Sequence, residues 1–219
     1  MKKIIGVMVI AAFSAVSANA EKISVGISGN AGMLDATGKE TFNSKTSTRS
    51  EDLAIAYVSG FAELHVPLDL GTGNLRVGIS YVPYALESET NSSFRAAGED
   101  NSVAAQNQKV QVDIEDLTTY YLSYHVNMFY VKAGVIEADL ITNEKLDTGS
   151  SYGNASLEGT FYGVGFDKNL SDGIFVRGEL GQTDFDSIKL SSTGSDNTNV
   201  IDVTGLSGTN FAISVGKSF

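Results

Sequence analysis

Large apolar side chains alternate with small or polar ones through most of this chain, and the clearest case is its last stretch. From Gly208 to Phe219, the residues Phe211, Ile213, Val215 and Phe219 share one face of an extended strand. Gly208, Asn210, Ala212, Ser214, Gly216 and Ser218 share the other. A period of two is what a strand separating two environments needs. The same alternation marks segments at about 22–34, 53–68, 75–84, 109–126, 129–139, 157–170 and 174–190, with the last from about 200 to 219. Segment 22–34 sets Ile23, Val25 and Ile27 against Ser24, Gly26 and Ser28. In the longest, 109–126, Val110, Val112, Ile114, Tyr120, Leu122, Tyr124 and Val126 stand in phase, with Gln111, Asp113, Glu115, Thr119, Tyr121 and Ser123 opposite.

The connections order these segments. Those at 69–74, 127–128 and 169–173 are short and rich in turn formers, whereas those near 36–52, 86–108, 140–156 and 190–200 are long and polar. Long and short alternate strictly, which puts three tight turns beside both chain ends and four large loops on the opposite rim. The pattern predicts an all-β fold, an eight-stranded antiparallel up-and-down barrel. Ten strands remain open if a long loop hides a hairpin.

The apolar faces would meet lipid in a membrane barrel, and a core in a soluble one. The chain start favours export. Met1-Lys2-Lys3 is basic, residues 4–16 are almost wholly apolar, and Ala18-Asn19-Ala20 fits a small-x-small cleavage site, the pattern of a secretory signal peptide. The apolar run falls short of the roughly 20 residues a spanning helix wants. Residues 1–20 are therefore read as a leader and 21–219 as one barrel domain. Losing Lys2 and Lys3 takes the formal charge from -11 to -13. Such acidity argues against nucleic acid as a partner, since that binding relies on basic groups. Cysteine is absent, so stability comes from packing and hydrogen bonds. No later stretch is apolar and long enough to cross a bilayer as a helix, which leaves a closed barrel as the spanning solution.

Signal, alternating connections and terminal Phe219 together resemble the small eight-stranded outer-membrane proteins of the outer-membrane protein A, protein X and opacity-protein type. The resemblance is one of pattern and covers 21–219. It implies that Phe211, Ile213, Val215 and Phe219 form the terminal-strand signal read by the barrel-assembly machinery. Lys217 departs from it, standing where the family often has an apolar residue; a lysine there can snorkel to headgroups. The resemblance also implies a bacterial outer-membrane location with both termini periplasmic, and outer-membrane lipids and lipopolysaccharide as surroundings.

Aromatic residues fit two interfacial girdles: Tyr124, Phe129, Phe166 and Phe219 toward the short turns, and Tyr81, Tyr120 and Tyr162 toward the long loops. Ordinary strand preference for aromatics is the alternative, and the girdle reading is preferred to it. Charged residues of the small-polar faces point inward by parity: Glu63, Arg76, Glu115, Lys132, Arg177 and Glu179, with Asp167 beside them. An eight-stranded barrel is just wide enough for side chains to fill. These charges should therefore pair and plug the lumen, or, alternatively, line a narrow ion path. His65 and His125 are the only histidines, both near short turns, and belong to no metal-ligand spacing. They read as structural and interfacial. A Ser-His-acid site at the loop rim would need a histidine there, so the chain is read as no enzyme, with no metal and no cofactor. Acids such as Glu87, Glu89, Glu99, Asp100, Asp139, Glu144 and Asp147 crowd the loops. They are read as a solvated, self-repelling surface rather than cation sites.

The expected role is structural or interactive: a monomer supporting the outer membrane and offering loops 36–52, 86–108, 140–156 and 190–200 to a surface partner, as in adhesion. A small porin-like channel is the alternative. A soluble lipocalin-type carrier is a third, and it demands the reverse parity, an apolar interior and a polar exterior.

Overall fold

In a computed structural model of the chain, residues 22–42, 45–71, 73–95, 106–145, 151–193 and 200–219 are described. The leader at 1–20 lies outside them, as do Glu99, Asp100 and Asp147. Eight antiparallel staves close into a ring. They are β1 (Ile23–Phe42), β2 (Lys45–Leu70), β3 (Gly73–Tyr81), β4 (Gln106–Val126), β5 (Phe129–Lys145), β6 (Ala155–Asn169), β7 (Ile174–Phe185) and β8 (Val200–Ser218). Short strands continue two of them: Leu86–Glu87 and Asn91–Arg95 beyond β3, and Ile188–Ser191 beyond β7. β8 closes on β1 from Ser24↔Ser218 to Thr41↔Val200. Its last residue is tied in, because the Phe219 amide donates to the Ile23 carbonyl at 2.8 Å.

The start of β1, the C-terminal residue and the tight turns lie on one rim, the turn end. At the two-residue turn after β4, Asn127 takes a φ of 55°, a left-handed value that asparagine tolerates. At the opposite rim, the loop end, much of what sequence assigned to loops is sheet. β1 runs to Phe42 and β2 starts at Lys45, with Asp35↔Asp52 through Phe42↔Lys45 in register across the expected loop 36–52. β5 runs on to Lys145, into the expected loop 140–156. Polar side chains bond across this extension, as where Thr37 Oγ1 lies 3.0 Å from Ser50 Oγ. Composition marked these stretches as loop, but cross-strand pairing holds them extended, and pairing is not a local property.

Two bulges reset which side chains face in. On β4 the register slips between Glu115 and Thr118, with Asp116 at a φ of 54°. On β8 it slips opposite Asp35 and Thr37, with Gly205 at 61°. One extra residue inverts the alternation beyond it. Below the β4 bulge Tyr121, Ser123 and His125 face the lumen; above it Val112 and Ile114 do, packed on the same apolar cluster as Leu117.

A seam interrupts the wall. The β2–β3 ladder ends at Gly60↔Tyr81, just before Pro83, and the strands at 86–87 and 91–95 pair with β4 alone. Across the seam the Val58 amide donates to the Tyr84 hydroxyl at 2.6 Å. Proline cannot donate to a ladder, which accounts for the break beside it.

The outer surface carries a belt of exposed apolar residues, among them Ile27, Leu122, Val131, Val164, Leu180 and Ile213. This polarity is the reverse of the carrier alternative. Beyond the belt on the loop side, carboxylates face one another in register: Asp35↔Asp52, Glu137↔Glu158 and Glu115↔Asp139.

Candidate functional site: a charged plug beneath an apolar chamber

Parity from β2, β3, β5, β6 and β7 brings six charges together inside the turn half of the barrel. Glu63 is fully buried and takes a bidentate bond from Arg177, at 2.7 Å from Nη1 and 3.0 Å from Nη2. Arg76 Nη1 lies 3.3 Å from both Glu63 and Asp167. Lys132 Nζ donates to Glu179 at 3.0 and 3.2 Å. Three carboxylates thus face three cations, and two phenols complete the set: Tyr121 donates to Glu63 at 3.0 Å and Tyr130 to Glu179 at 2.6 Å.

Aromatic rings hold the cations in place. The Arg177 guanidinium lies 5.0 to 5.4 Å from the rings of Tyr130, Phe175 and Phe61. Lys132 Nζ sits 4.1 Å from the Tyr121 ring and 4.9 Å from that of Phe161. Room for such rings comes from glycine: a Cβ at Gly78 would strike the Tyr121 ring, and one at Gly165 would strike that of Tyr130. With its charges paired and its rings interleaved, the plug borders small voids of about 30 and 40 Å³.

Of the sequence-predicted charges, Glu63, Arg76, Lys132, Arg177 and Glu179 meet here, with Asp167. Glu115 does not: it is exposed on the outer face beside Asp139, because the bulge at Asp116 reverses its parity. The histidines also lie elsewhere than at a lipid interface. His65 Nε2 is 2.8 Å from Ser24 Oγ at the base of the lumen. His125 stacks on Tyr130, with Nε2 3.0 Å from Ser123 Oγ and Nδ1 3.1 Å from Asp167. Serine, imidazole and carboxylate stand in the order of a nucleophilic relay, yet Ser123 and His125 are each only 1% exposed. A carbonyl substrate has no approach to that hydroxyl.

The predicted girdle residues Tyr81, Phe129, Tyr162 and Phe166 lie exposed on the outer face, as do Phe211, Ile213, Val215 and Phe219 of the terminal strand. Tyr120 and Tyr124 are half-buried, and the Tyr120 hydroxyl donates to Glu137 at 3.3 Å. Lys217 places its ammonium 5.2 Å from the Phe219 ring.

Sequence reasoning missed the second half of the site. Above the plug lies an apolar chamber of about 410 Å³, bounded by Ile55, Val112, Ile114, Leu157, Phe185 and Val203 among others. That volume falls in the roughly 300–1,000 Å³ range of small-molecule sites. Both sides of the seam line it, Leu53 and Ile55 from β2 and Leu86 from the segment beyond β3. The signal was a phase slip: Val112 and Ile114 are even-numbered and Leu117 odd, while Ile201 and Val203 are odd and Leu206 even. All six line the chamber.

No protein-family model and no curated protein sequence matches the chain. Among solved structures it is similar to the outer membrane protein OprG from Pseudomonas aeruginosa, with a TM-score of 0.59 at 13% identity, covering 91% of this chain and 96% of that one. Ail, the attachment invasion locus protein of Yersinia pestis, solved with the heparin analogue sucrose octasulfate, superimposes more loosely. Its TM-score is 0.40 at 10% identity, covering 89% of this chain and 99% of that one. The likeness to OprG establishes the fold, an eight-stranded antiparallel β-barrel of the kind that this outer membrane protein has.

Proposed function

We propose that this protein is a monomeric bacterial outer-membrane barrel, with termini and tight turns periplasmic, that takes up a small apolar compound in its outer half. The plug keeps ions and water-soluble solutes from passing through, and the seam between β2 and the segment after β3 connects the chamber with the outer leaflet. The observation that carries this reading is the apolar chamber set directly above a charge-balanced plug and bordered by the seam. Apolar surface buried in such a chamber contributes about 25 cal/mol per Å². The porin-like alternative would need a wetted path where the ion pairs stand. No catalytic role is part of the proposal.

The chain has no tryptophan, so one introduced reporter is read without background. A Phe185→Trp variant in lipid nanodiscs should be quenched saturably by 1-bromooctane, because Phe185 lines the chamber. A Phe166→Trp variant, facing lipid, should be quenched only in proportion to partitioning. Identical, unsaturable curves would sink the reading.

The exposed belt and terminal strand support lipid and the barrel-assembly machinery as partners, and the girdles support lipopolysaccharide as the outer surroundings. A second reading, surface interaction or adhesion, is favoured by the length of the staves. β2 has 26 residues, against about 9–11 needed to cross a bilayer. A protruding strand edge can recruit a partner strand. Adherence of cells whose copy lacks residues 36–52 is the test.

A further inference from the structure

The chamber is apolar at its walls but not at its floor. Beneath it a pocket of about 40 Å³ shares Tyr57, Thr183 and Asn210 with the chamber and adds Asn30, Ser59 and Lys132. A molecule standing in the chamber therefore ends on amides and hydroxyls. Their arrangement restricts what can stand there. Lys132 is committed to Glu179 by two short contacts and capped by two rings, so neither charge is open to a ligand ion without breaking the pair. Asn30 Nδ2 is 3.2 Å from both the Ser28 carbonyl and Ser59 Oγ. Asn210 differs: its Oδ1 is enclosed against Gly181 and has no hydrogen-bond partner. A buried amide oxygen left unpaired is unfavourable, and turning the amide about χ2 would present it to the pocket, where a ligand donor can satisfy it.

We infer that the chamber selects uncharged amphiphiles, an alkyl or ring body bearing a hydroxyl or amide, bound head down with Asn210 and Thr183 as the specificity-determining residues. This rests on the chamber being a binding site. Hydrocarbon alone leaves the Asn210 amide oxygen without a partner. An ionised head, carboxylate or ammonium, sheds its water on entering and gains neither Lys132 nor Glu179 without breaking that pair. Sites built to pair a hydroxyl discriminate strongly against the analogue lacking it, because their own polar groups are then stranded.

The test uses the full-length Phe185→Trp protein in nanodiscs, with octane, 1-octanol, octanoate and octylammonium each displacing 1-bromooctane, at concentrations corrected for membrane partitioning. 1-Octanol is expected to displace at about tenfold lower concentration than octane, with both ions weaker than the alcohol. In Asn210→Ala the octanol-to-octane ratio should fall toward one. Thr183→Val, close to isosteric, should lower it without adding bulk and keeps the test open if the first variant does not fold. Equal displacement by octane and octanol would overturn the head-group assignment while leaving the chamber intact, as would preference for either ion. Absence of saturable quenching before any competitor is added would overturn the chamber itself, and this inference with it.

Discussion

Arg177 is the residue on which the plug depends. Its two Nη groups hold Glu63 in fork geometry while three rings enclose its plane, and a lysine cannot supply both features at once. Removing one partner of a buried pair strands the other, at a cost of about 3–5 kcal/mol, whereas replacing both with apolar groups is often close to neutral. Arg177→Ala should therefore lower the urea midpoint of the refolded barrel sharply. Glu63→Leu combined with Arg177→Met should recover much of the loss, read by the shift between unboiled and boiled protein on gels. If the double variant loses the sum of the two singles, the pair is not coupled. The inward set containing these residues was legible in the sequence, since parity alone selects it. Their partnership was not, because Glu63 and Arg177 stand 114 residues apart and meet only through closure of the ring.

At the level of elements, the bulges do the work that strand count cannot. Each adds a residue with positive φ, and each exchanges a polar interior for an apolar one above it. Deleting Asp116 should remove the bulge yet leave the flanking pairs in register, Glu115 with Asp139 and Thr118 with Glu137, so that Glu115 stays outward and Val112 and Ile114 stay inward. The expected result is a barrel that still shifts on gels and still quenches saturably with 1-bromooctane; lost saturation in a folded barrel would show that the chamber needs the bulge itself and not only the faces it sets. Here the sequence reading stopped short for a physical reason. Alternation and turn chemistry are local, so eight staves and three tight turns could be read from residues 22 to 219. A bulge is one added residue inside a run that alternates on both sides of it. Nothing in composition marked Asp116 as different from a neighbour, and Glu115 was carried to the wrong face with it. The extended loop strands escaped for a related reason, since residues such as Thr37 and Ser50 favour a sheet only once the opposite strand is present.

For the whole molecule, the proposed function divides the barrel into a sealed half and a receptive half, and that division would set what passes through. Refolded protein in a planar bilayer, confirmed folded by its gel shift, should give no unitary current steps. Reproducible steps would mean a continuous wetted path and would return the porin-like alternative. Under the proposed function, stability and uptake are separable: the turn half holds the ring closed, while the loop half, with its interrupted ladder at Gly60 and Tyr81, would provide access.

The facing carboxylates beyond the tyrosine belt carry a last consequence, for depth. Asp35, Asp52, Glu137 and Glu158 project from the outer surface just where the hydrophobic belt ends. Charge on the lipid-facing side of a barrel becomes costlier the nearer it comes to the bilayer midplane. Sinking the barrel by one pair of residues would drag this collar into hydrocarbon at several points of its circumference at once. Under the proposed function the collar would act as a flange, a mechanical stop that fixes how far the cylinder travels into the membrane and keeps the mouth of the seam level with the lipid it opens upon.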